Sequence, residues 1–328
     1  MVMKSMSDKI KDLLNIRYVK LHFELKFPYD SSLPVYKPFA LRGGMGQMLM
    51  EKYCMSDKEC GHCAFVSECV MTRIMYSRFD ISPYFIKDRG NCGYIIECED
   101  YRTRFFAGNE LHFAVILFGK TIFYFQHILE AFNALGKEGL GPDKALFTVQ
   151  RVTNSLRQEV YREGAVYKDK YTVSTVGDYV SYRLSKRPCY RAVFQTPAKF
   201  VVRKELVTEF DPTVLFRSIA RRLYILNSFE GNDIDRIPIG IADREDSIDP
   251  PVASDQYARI QRNARYSSRQ EQRYVIPGIK GYIEFEQLSE DQYMLLLAGE
   301  LIHVGKETTF GYGKYTMVGD NERNDAIE

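Results

Sequence analysis

Nowhere in these 328 residues do about 18 apolar residues follow one another, the run that a membrane-spanning helix needs. The opening stretch also lacks the uninterrupted apolar core of a signal peptide, because Lys4, Asp8, Lys9 and Asp12 break up residues 1–16. Both absences predict a soluble, cytoplasmic chain with no membrane partner. Net charge is nearly missing: 45 Lys and Arg face 43 Asp and Glu, leaving +2, so a basic surface can arise only by local segregation. Histidine is scarce, with five in the chain, so few candidate proton-transfer groups are on offer. No Walker A loop occurs, since no Gly-Lys-Ser/Thr completes the glycine-rich stretch over 305–313.

What is present is 45% hydrophobic content, ample for one or two cores, in a chain long enough for two domains. Over residues 17–27, Val19, Leu21, Phe23, Leu25 and Phe27 alternate with Lys20, His22, Glu24 and Lys26, the pattern of a half-buried strand with His22 on its polar face. A helix from about Ala40, strands over 93–98 and 110–118, a helix over 121–135 and a strand over 145–152 complete the order β, α, β, β, α, β. After a polar stretch over 153–187 the order returns. It has a strand over 190–202, a helix capped by Asp211 with Pro212 in its first turn, and strands over 272–276 and 282–285 turned at Pro277, Gly278 and Gly281. A helix opened by the Ser289/Gln292 capping box and a strand over 312–318 close it.

Gly136, Lys137 and Glu138 follow the last helix of the first half, and Gly305, Lys306 and Glu307 follow that of the second, which argues for duplication. The expected fold is α+β, two tandem ferredoxin-like (RRM-like, βαββαβ) domains over 1–185 and 186–320. A cysteine-bearing insertion at 54–69 interrupts the first. Residues 230–250, acidic and proline-containing, read as a loose insertion, and 321–328 as a disordered tail.

Seven cysteines are an odd number, and a chain without a signal peptide is expected to use clustered ones for metal. Cys54, Cys60, Cys63 and Cys69 form C-x5-C-x2-C-x5-C, the four thiolates of a closed tetrahedral site. Structural zinc is the first expectation and an iron–sulfur cluster the second. A filled shell leaves no open position, so the site is read as structural and not catalytic. Cys92, Cys98 and Cys189 lie by strands and read as core residues.

Arg259, Arg262, Arg265, Arg269 and Arg273 are spaced 3, 3, 4 and 4, one face of any helix formed here, with Tyr257, Tyr266 and Tyr274 available to stack on bases. Arginine forks suit phosphate oxygens, so RNA is the expected partner. In the 305–313 loop, glycines would let N–H groups approach phosphate, with Lys306 adding charge. His303, in a last helical turn, is placed where a protonated imidazole is favoured, a useful state for a general acid. His112 and His127 sit among apolar neighbours and read as packing residues.

An ordered set of short motifs resembles one family, the CRISPR-associated RAMP-superfamily endoribonuclease that processes precursor CRISPR RNA, in its variety with a cysteine cluster. The motifs are Leu41-Arg42-Gly43-Gly44 leading into the four cysteines, Leu117-Phe118-Gly119, Gly139-Leu140-Gly141, Arg265-Tyr266-Ser267-Ser268-Arg269-Gln270, and His303-Val304-Gly305-Lys306 with Thr309-Phe310-Gly311-Tyr312-Gly313. The resemblance implies binding of CRISPR repeat RNA and metal-independent cleavage within the repeat by 2′-OH attack, giving 2′,3′-cyclic phosphate and 5′-OH ends with the mature crRNA retained. On that reading His303 is acid or base, Lys306 with the amides of Gly311 and Gly313 stabilises charge, and Arg269 orients the phosphate. Many members carry a catalytic histidine in or near the first helix; residues 40–53 here contain none, Arg42 lies there instead, and His22 is the substitute. The alternative is a catalytically inactive repeat-binding subunit of a RAMP-type complex. Effector or adaptation-complex proteins are possible further partners, and no small-molecule substrate is expected.

Overall fold

The computed structural model describes residues 6–77, 79, 92–186, 189–234, 248–267 and 272–319. Its residues group into two compact units. An N-terminal unit joins Tyr18–Val173 with Ala264–Tyr274, and a C-terminal unit joins Met1–Arg17, Ser174–Asn263 and Val275–Glu328. Met1–Arg17 and Ser174–Leu184, assigned by the sequence to the first domain, thus group with the C-terminal unit.

In the N-terminal unit the strand Arg17–Lys26 buries Val19, Leu21, Phe23 and Leu25 and turns His22 outward, as its alternation requires. It runs antiparallel to Glu110–Phe118 on one side, with Phe23 opposite Phe113, and to Thr148–Thr153 on the other. The sheet order is Tyr94–Glu97, Glu110–Phe118, Arg17–Lys26, Thr148–Thr153, Glu159–Arg162, Ala165–Val166. Leu41, Met45 and Leu49 of the helix Pro38–Tyr53 join Ile128, Leu129, Phe132 and Leu135 of Phe125–Glu138 and the strands' inner residues in one core. Phe113 and Phe132 both lie against Phe23, at ring-centroid distances of 4.9 and 5.2 Å.

The C-terminal unit repeats the order. Its four-stranded sheet runs Ala253–Ser267, Gln272–Phe285, Arg191–Phe194, Tyr315–Val318, so in both units the first strand lies between the third and the last. Asp211 caps the helix Pro212–Glu230 by accepting from the Val214 amide at 2.9 Å, and Gly231 ends it in the left-handed region. Ser289 and Gln292 form the expected capping box on Glu290–Ile302. Both units have the ferredoxin-like plan.

Two expectations fail. The arginine segment is not helical: it is the strand Ala253–Ser267, and its partner Gln272–Phe285 is continuous, with no turn at Pro277. Gly278 keeps that strand close to Pro197 and Ala198, where a Cβ would meet the proline ring at 2.9 Å. The polar stretch over 153–187 holds the strands Glu159–Arg162 and Ala165–Val166 and the helix Val176–Leu184. The expected tail at 321–328 lies outside the described residues. Among the described residues no helix is long and apolar enough to cross a membrane.

Candidate nucleic-acid interface

In a strand alternate residues take opposite sides, so Arg259 and Arg265 face one way and Arg262 the other. The expected one-sided stripe is therefore replaced by basic charge on both sides of a long two-stranded ribbon. Arg259, Arg262 and Arg273 are exposed and Arg265 is half-buried. Tyr266 lies in the strand, and Arg269 lies outside the described residues.

Arg42, in the first helix of the N-terminal unit, donates from Nε to the Tyr94 hydroxyl at 2.9 Å. Burial raises the Tyr94 pKa, while the charges of Arg42 and of Arg265 oppose that rise. The structure thus brings two of the predicted RNA-binding arginines to one fully buried phenol, which fixes the orientation of Arg42.

The glycine-rich loop differs from its expected role. His303 ends the helix Glu290–Ile302 with φ of 56° and is 0% exposed, its Nδ1 3.1 Å from the Tyr312 carbonyl oxygen. A side chain so enclosed cannot reach a bound phosphate in this conformation. The two amides expected to hold phosphate are engaged within the protein. Gly311 N–H donates to Thr308 O at 2.8 Å and Gly313 N–H to Pro197 O at 2.8 Å. At Gly313, φ is 72° and a Cβ would stand 1.8 Å from Val304 O, so the glycine serves close backbone packing. Ser218 Oγ accepts from Gly305 N–H at 2.6 Å and Arg222 Nε donates to Ile302 O at 3.1 Å, anchoring the loop to the helix Pro212–Glu230. Lys306 alone of the predicted catalytic residues in this unit is exposed.

His22 is exposed on the polar face of its strand, between Ala114 and Thr153 of the neighbouring strands. His112 is not the packing residue expected. Its ring is 63% exposed, with Nε2 3.5 Å from Glu110 and Nδ1 3.9 Å from Glu24. Its place between buried Leu111 and Phe113 could have revealed this, since period two puts it outward. Among the described residues Glu24, Glu110 and His112 are the one group of three whose ligand atoms lie within 4.8 Å of one another. Glu24 is already engaged by Arg151, whose Nε donates to Oε2 at 2.7 Å. His127 is half-buried between Tyr53 and Tyr124, with ring centroids 5.0 and 5.6 Å away, nearer the packing role expected of it.

Cys54 caps the end of the helix Pro38–Tyr53 and Cys69 the start of Val70–Met75, with Cys60 and Cys63 in the turns between. All four line one small pocket with Met50, Val66 and Thr72, and all are free thiols. His62 is exposed and does not line it. The residue types suit a soft metal ion, but no three of these sulfurs lie within 4.8 Å of one another, so the closed four-thiolate shell expected from the spacing is not gathered here.

Residues 14–175 match a family model described as an N-terminal domain (AF_1859_N), and residues 193–315 match that of the CRISPR-associated endoribonuclease Cas6. Comparison with curated proteins gives no match. Among solved structures, a partial Cas6-RT-Cas1–Cas2 complex aligns at 12% identity and a TM-score of 0.56, covering 92% of this chain and 46% of that one. The fuller Cas6-RT-Cas1–Cas2 complex aligns at 12% and 0.56, covering 92% and 29%. Thermus thermophilus Cas6 aligns at 12% and 0.48, covering 92% and 99%. The chain therefore spans less than half the length of the first two, and its likeness to them is one of fold. Residues 193–315 are thus similar to the domain of the CRISPR-associated endoribonuclease Cas6.

Proposed function

We propose that the chain binds CRISPR repeat RNA and cuts precursor CRISPR RNA within the repeat, without a catalytic metal, then retains the mature crRNA. The reading is carried by the match to the Cas6 endoribonuclease over the segment that includes the exposed arginine ribbon. In this chemistry a 2′-hydroxyl attacks the adjacent phosphorus. The P–O bond to the 5′ oxygen breaks, and 2′,3′-cyclic phosphate and 5′-OH ends result. A base takes the 2′ proton, an acid protonates the leaving oxygen, and cations stabilise the crowded phosphate. With His303 enclosed, the exposed His22 and Lys306 are the residues for proton transfer and charge. Arg42, Arg259, Arg262, Arg265 and Arg273 supply phosphate contacts.

The four cysteines would hold a structural zinc, with an iron–sulfur cluster as runner-up. The group would tie the end of one helix to the start of the next and supply no step of the reaction. The likeness to complexes containing a reverse transcriptase and Cas1 supports adaptation-complex proteins as partners.

A second reading, an inactive subunit that holds repeat RNA, is favoured by the enclosure of His303 and the engagement of both loop amides. One assay separates the two: purified protein with labelled repeat RNA in EDTA, and with single 2′-deoxy substitutions. Cutting that is blocked at one deoxy position supports the enzyme. Tight binding without product under single-turnover conditions supports the inactive subunit, and activity that requires added magnesium overturns the proposed mechanism.

A further inference from the structure

We infer that the side of the C-terminal sheet formed by Arg191, Tyr282 and Tyr257 is a stacking platform for the bases of single-stranded RNA. This rests on the RNA-binding reading above and gives the ribbon a second, uncharged mode of recognition. Ala192 is buried opposite Ile283 and Met317, so its neighbour Arg191, opposite Glu284 and Val318, faces the other way. On that side the Arg191 guanidinium lies 4.1 Å from the centre of the Tyr282 ring and pairs with Glu284, its Nε donating to Oε2 at 2.6 Å. Tyr282 in turn donates its hydroxyl to Asp255 Oδ2 at 2.8 Å. One face of the Tyr282 ring is backed by a cation and its hydroxyl is tied down, so the ring is held rigidly on the surface.

Tyr257 stands beside it, with ring centroids 6.3 Å apart and planes tilted by 34°, and is 50% exposed. Two residues on, exposed Arg259 takes the same side of the strand. Gly281 enforces the pairing: its φ is 149°, and a Cβ there would stand 1.9 Å from the Tyr257 carbonyl oxygen. A fixed ring, a half-exposed ring and a guanidinium on one sheet surface are the elements by which single strands are held, bases on π-faces and phosphate on the cation. Such a platform tolerates any base, which suits RNA flanking a cut site better than the cut itself.

The test is fluorescence anisotropy of the full chain with labelled oligoadenylate across a salt series. Tyr257→Ala is expected to weaken binding about five- to a hundredfold with the salt slope unchanged, and Tyr257→Phe to bind as the unaltered chain does. Arg259→Ala should instead lower the slope of log Kd against log salt by about 0.7, one phosphate contact on a single strand. If the unaltered chain binds and Tyr257→Ala binds equally well, the platform is overturned. If the unaltered chain binds no RNA at all, the RNA-binding reading falls as well.

Discussion

At the scale of single residues, Glu130 ties the two helices of the N-terminal core by accepting from Lys52 and, at 2.6 Å, from the Tyr53 hydroxyl. Those bonds, from Lys52 first, hold its carboxyl at about 2. Because the folded value lies below the unfolded one, its contribution is complete above about pH 4.3 and is lost as the pH falls toward 2, where the unfolded chain binds the extra proton. Glu130→Gln should therefore flatten the dependence of Tm on pH between about 4.3 and 2, read by thermal melts across that range. Glu300 is a deeper case, with a side chain 2% exposed. Arg183 meets it with Nε and Nη2 at 2.9 Å each, and Tyr179 donates at 2.9 Å. Glu300→Ala would strand a largely buried guanidinium and should cost about 3–5 kcal/mol in urea unfolding, whereas a loss under 1 kcal/mol would mean the network is weakly held.

At the scale of elements, the arginine ribbon should act through phosphate. Replacing Arg259, Arg262 and Arg273 together by Gln should lower the salt slope of RNA binding by about 2, from about 0.7 per phosphate, and leave Tm within about 1 °C. An unchanged slope would mean that the exposed guanidinium groups do not meet RNA. This element was also where the sequence misled most. Spacings of 3, 3, 4 and 4 mimic a helical face, but a ribbon with polar groups on both sides has no period-two signature to set against it. The strand Arg17–Lys26 was legible because one face is wholly apolar. The helix Val176–Leu184 was not, since it buries only Val176 and Val180 and is held chiefly by the polar links of Tyr179 and Arg183 to Glu300. The burial of His303 is likewise tertiary: nothing local to residues 303–313 tells that Pro197, Ser218 and Arg222 close around the loop.

At the scale of the whole molecule, the order of elements in both halves was legible, and the partition of the chain was not. If zinc fills the four-cysteine pocket, native mass spectrometry should find one ion per chain. A strong chelator should then lower Tm by several degrees, as should Cys63→Ser, and zinc should restore only the unaltered chain. Tm indifferent to chelation would leave the thiols metal-free.

The C-terminal unit is drawn from three separate stretches of chain. Asn227 donates to the Leu13 carbonyl, and Tyr179 and Arg183 wait on Glu300. A nascent chain leaving the ribosome therefore delivers the first piece of this unit long before the rest, with the bulk of the other unit synthesised in between. The bulk of the N-terminal unit, Tyr18–Val173, can collapse first, while Met6–Leu13 meets its first partners only after translation passes residue 227 and the rest only past residue 302. A fragment started at residue 186 would never receive those partners, however well its own strands paired.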